Sequence, residues 1–189
     1  SAWVHLFSRD WEQVLKMEFK KFLLEKKLPS FLVLCFLLFF FRYIPHLPNF
    51  TPVLAMTFYG TIIFGRYSLM FIVLAFALSD VFIGFHNQLI WTWGSLFLIG
   101  FIGPYFKNLF GRFTGVFLSS LIFFMLTNLG VFLSGYYGFG FKSLILCYTL
   151  AIPFFTNTIL STLVFSILIE FFIFSKYFNF VPAIKNKTN

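Results

Sequence analysis

Between two apolar runs, Phe31–Phe41 and Val53–Phe64, stands Pro45-His46-Leu47-Pro48-Asn49-Phe50-Thr51-Pro52, with three prolines in eight residues. Proline fixes φ and has no backbone donor, so neither run can continue as helix through this segment. Two structures satisfy such a break. One is a plain extracytoplasmic turn between helices. The other is a loop that dips into the outer half of a membrane protein and builds a binding site, because irregular backbone at that depth must be buried in protein or line a cavity. Polar residues arriving from elsewhere in the chain would favour the second.

That both flanks lie in a membrane follows from composition. The chain is 189 residues, 60% hydrophobic and 11% charged, and it holds 34 phenylalanines. Soluble domains carry about 25% charged residues, so this chain cannot cover a water-facing surface. With a mean hydropathy of +0.91, it reads as an all-α polytopic membrane protein. Its length suits about six spanning helices of about 20 residues in one domain. Cys35 and Cys147 fall inside apolar runs, where thiols pack as small hydrophobes.

Three regions are expected. Residues 1–27 place Trp3, Phe7, Trp11, Val14, Leu15 and Phe22 at helical spacing, with Lys16, Lys20, Lys21, Lys26 and Lys27 over much of the remainder. That pattern predicts an amphipathic helix in the membrane interface, with partner docking as the competing use. Residues 28–176 form the transmembrane domain, with spans near 28–44, 53–64, 67–85, 89–106, 113–133 and 154–174. A basic loop, 107–112, precedes the fifth. Residues 143–152, ended by Pro153, are too short to span and are read as a re-entrant segment before the last helix. Residues 177–189 form a polar tail.

The formal charge of +8 reports orientation rather than nucleic-acid binding. Lys and Arg accumulate in cytoplasmic loops. A cytoplasmic N-terminal segment also puts Arg66, Lys107, Arg112, Lys176, Lys185 and Lys187 inside, leaving only Arg42 and Lys142 outside. Both termini are therefore assigned to the cytoplasm of a bacterial cell.

In this topology polar side chains of four segments fall in the outer half: His46, Asn49 and Thr51; Asp80 and His86; Asn128; and Asn157. These are the candidate ligand-binding residues. Asp80 is the costliest, about 2.5–3.5 kcal/mol at mid-bilayer if unpaired. It is either a ligand contact or half of a structural clamp, with Arg42 and His46 as candidate partners and Asn128, Asn157 or a bound ligand as others. Glu170, near the opposite end, is expected to pair with Arg66 or Arg112. No H-E-x-x-H, G-x-S-x-G or phosphate-binding G-x-x-x-x-G-K-[ST] pattern occurs, so the chain is read as non-enzymatic, without cofactor. His46, His86 and Asp80 have no diagnostic metal spacing, and no metal site is assigned.

The segments PHLPNFTP (45–52), LSDVFIGFH (78–86), TNLGVFLSG (127–135) and CYTLAIPFFTNT (147–158) resemble an uncharacterised bacterial integral-membrane family. In helix number and general character that family resembles the S components of energy-coupling-factor transporters. The resemblance implies a six-helix bundle that captures a vitamin-like micronutrient from outside, with energy supplied by separate membrane and ATPase subunits. The 1–27 extension departs from the compact S component and suits contact with other membrane subunits. The alternative is a non-transporting subunit that scaffolds a larger membrane assembly.

Overall fold

A computed structural model describes residues 27–174 other than His46 and His86. The interfacial helix expected over residues 1–27, save its last residue, and the expected polar tail lie outside the described residues. Within them the fold is all helical: α1 (Lys27–Phe41), α2 (Val53–Phe64), α3 (Ser68–Ile83), α4 (Leu89–Ile102), α5 (Leu109–Leu133) and α6 (Phe141–Ile169). A single 3₁₀ turn, Gly103–Tyr105, extends α4, and α6 ends in a π-helical turn, Glu170–Phe174. Two stretches, Leu109–Leu133 and Phe141–Phe172, are long and apolar enough to cross a membrane, and the other helices are shorter and apolar.

The short helix α2 is the centre. Every residue from Val53 to Thr61 is buried, as is Ile63. It touches α1, α3, α4, α5 and α6, which pair around it in the order α1–α3–α4–α5–α6. Twelve residues rise only about 18 Å, so the outer helices overhang it. Phe165 of α6 closes the seam with α1, its ring centroid 5.8 Å from that of Phe41 and 6.3 Å from that of Phe50. The core around α2 includes Phe31, Leu38, Phe58, Tyr59, Ile72, Leu96, Ile99 and Val116. Threonines inside it need no partner helix: Thr57 and Thr61 donate to the carbonyls of Val53 and Phe58 at 2.8 and 2.9 Å.

Close approach to α2 depends on glycine. A Cβ on Gly103 would lie 2.7 Å from the backbone oxygen of Phe58, and one on Gly115 would lie 2.4 Å from the Phe58 ring. Sharp reversal depends on it too: α2 ends at Gly65, φ 89°, in the left-handed region that side chains disfavour.

Two expectations are corrected. Residues 143–152 are not re-entrant; α6 runs unbroken from Phe141 to Ile169 with Pro153 inside it. Proline removes one bond of the helical ladder, but packing along α5 holds the turns on either side. Thr156, Asn157 and Thr158 therefore sit in the middle of α6 and not in its first turns. Nor is 107–112 wholly a loop. Asn108 caps α5, accepting from the Gly111 amide at 2.6 Å, which draws Arg112 into the first turn.

Candidate functional site

The proline-rich turn is stapled on both sides. At its start, Arg42 donates to the Phe76 carbonyl at 3.1 Å and to Ser79 Oγ. Its Nη2 lies 2.6 Å from Asp80 Oδ1, an ion-pair contact rather than an aligned hydrogen bond. The guanidinium also stands over the Phe76 ring, 3.8 Å from the centroid. Asp80 is fully enclosed, and its other oxygen accepts from Trp93 Nε1 at 2.7 Å. A buried carboxylate leaves water at a cost of several kcal/mol, which a paired cation and a hydrogen bond offset. Both are present, and they join α1, α3 and α4.

On the far side the turn is held by α6. Asn157 Nδ2 donates to the Pro48 carbonyl at 3.0 Å, and Ser161 Oγ donates to the Asn49 carbonyl at 3.3 Å. Asn49 has φ 62°, the left-handed conformation that asparagine accepts better than most residues. Its side chain is exposed, and Thr51 is half-buried.

The structure thus brings Asn49, Thr51 and Asn157 to one place, while Asp80 holds Arg42, three residues before the turn. Asn128 is not drawn in; its Nδ2 donates within α5 to the Phe124 carbonyl at 2.7 Å. His46 and His86 lie outside the described residues. Trp93 and Ser161 were not singled out from sequence. A buried indole N–H needs an acceptor, but the sequence does not mark which of its aromatic rings is the buried one.

A second polar cluster lies at the opposite end of α2. Arg112 Nε and Nη2 contact Glu170 Oε1 and Oε2 at 2.5 and 2.9 Å, a two-pronged pair. Tyr59 Oη donates to Glu170 Oε1 at 2.8 Å. The guanidinium also donates to the Lys107 carbonyl and lies 4.3 Å from the Phe174 ring centroid. Of the two partners expected for Glu170, Arg112 is the one used. Arg66 instead lies over Phe101 and Tyr105, 5.6 and 5.1 Å from their centroids.

No curated protein and no solved structure matches the chain. A family model does, over residues 23–181, a span that takes in both polar clusters and all six helices. The match speaks for the family alone and makes no link to S components. The chain belongs to DUF6580, a family of unknown function.

Proposed function

We propose that the chain is an integral membrane protein of the bacterial cytoplasmic membrane, both termini cytoplasmic. It acts there as a substrate-capture subunit of a transporter, S-component-like, taking a small vitamin-like solute from the extracytoplasmic side. The observation that carries this reading is the depth of the proline-rich turn. Asn157, which holds Pro48, is 16 residues from the start of α6, or about 24 Å along the helix. The arms of α5 and α6 continue beyond that level, so the turn would form the floor of a recess beside them. Asn49 and Thr51 would meet a solute at that floor, with Asn157 beside them. Asp80 serves the site at one remove, by fixing Arg42 and hence the start of the turn.

Native mass spectrometry of protein extracted in its own lipid tests this. A stoichiometric small molecule should be retained by the wild type and lost from Asn49→Gly, which accepts the left-handed backbone at that position and should shift melting little. One observation favours the scaffolding alternative: both Asp80 oxygens are occupied by protein groups, as a purely architectural clamp requires. Constant co-purifying polypeptides with no small molecule would select that alternative.

A further inference from the structure

We infer that the Arg66 end of the protein binds the phosphate of an anionic phospholipid headgroup, through Arg66 and Lys107. The inference rests on the membrane reading above but not on solute capture.

Charge accounting points there. The described residues contain two carboxylates, Asp80 and Glu170. Each is engaged by an internal arginine, Arg42 and Arg112 respectively. Arg66 and Lys107 are both exposed, and neither has a described carboxylate to pair with. Tyr105 connects them: Arg66 lies over its ring, and Lys107 follows it by two residues. Tyr105 and Phe101 both stand against the guanidinium, and a ring contact does not use its in-plane N–H donors. A planar donor edge presented this way suits phosphate oxygens.

The surroundings favour a lipid over a free anion. Tyr105, Phe101, Met70, Leu109 and Phe110 around the two cations are all exposed. Such a surface offers acyl chains an apolar bed next to a cationic headgroup seat. An amphiphile uses both parts, whereas inorganic phosphate uses only the second. Basic groups at the cytoplasmic ends of membrane helices gain from anionic lipid by about a fivefold affinity each.

The test uses the full chain, purified in mild detergent, with phosphatidylglycerol, phosphatidylcholine and inorganic phosphate as probes and native mass spectrometry as the readout. Phosphatidylglycerol should be retained in preference to phosphatidylcholine. Arg66→Gln and Lys107→Gln should each weaken that retention about fivefold, and Lys142→Gln, at the other end, should not. Equal retention of the two lipids, or unchanged retention in Lys107→Gln, would overturn the inference. Displacement of the lipid by millimolar inorganic phosphate would overturn it in favour of a free-anion site. Alkaline extraction of whole membranes separates the two levels. A protein that stays in the pellet but shows no lipid preference loses this inference alone, and one that is released loses the membrane reading as well.

Discussion

Asp80 and Arg42 are worth less as separate residues than as a pair. Arg42→Gln would leave an enclosed carboxylate with Trp93 as its one remaining partner among the described residues. We expect a loss of stability of order 3–5 kcal/mol, and a similar loss for Asp80→Asn, which strands the guanidinium. Removing both charges, as Arg42→Met with Asp80→Leu, should recover most of it, because buried pairs barely outweigh their own desolvation. Thermal melts of detergent-purified protein check all three. If Asp80→Asn melted normally, Asp80 would not be part of a structural clamp. At the other cluster, Tyr59→Phe deletes one hydrogen bond to Glu170 and leaves Arg112 in place, so a cost near 1 kcal/mol is expected. Arg42 was legible as a partner for Asp80 because so few cations stand on that side of the chain. The indole of Trp93 was not, since apolar runs full of aromatics give no sign of which ring turns its polar edge inward.

Among the elements, α2 was legible to the residue, because Pro52 and Gly65 bracket it. Its position was not. The small residues Thr57, Gly60 and Thr61 within Val53–Phe64 permit close approach but do not tell a central helix from one at an edge, and the glycines of other helices reveal what approaches it. Those glycines make the claim testable. Gly103→Ala should cost about 1–3 kcal/mol, because its methyl would meet backbone that cannot move aside. Gly94→Ala, where a Cβ meets nothing, should be neutral or slightly stabilising. Equal melts for the two would mean that α2 is not packed against the end of α4. The continuity of α6 was hidden by Pro153, a residue that ends helices more often than it sits inside them. Pro153→Ala restores a donor within an already formed helix and should raise the melting temperature without changing topology. A re-entrant segment, whose bend needs the proline, would respond by losing its fold.

For the molecule as a whole, the apolar exterior was written in composition, and the ring of five helices about α2 was not. Ring order depends on which faces pair, and chains this apolar show no amphipathic stripe to betray it. The depth of the proline-rich turn was open for the same reason, since Asn157 looked like a first-turn residue until α6 proved continuous. Depth and sidedness are what the functional proposal stands on, and cysteine accessibility reads both. In a Cys35→Ala, Cys147→Ala background, single cysteines at Asn49, Gly138 and Asn108 would be exposed to a membrane-impermeant thiol reagent in intact cells. Gly138→Cys, in the α5–α6 connection, should react fastest. Asn49→Cys should react more slowly, reached through the recess, and Asn108→Cys should react only after the membrane is permeabilised. Reaction at position 108 in intact cells, or none at position 49, would contradict an outward-facing recess floored by the proline-rich turn.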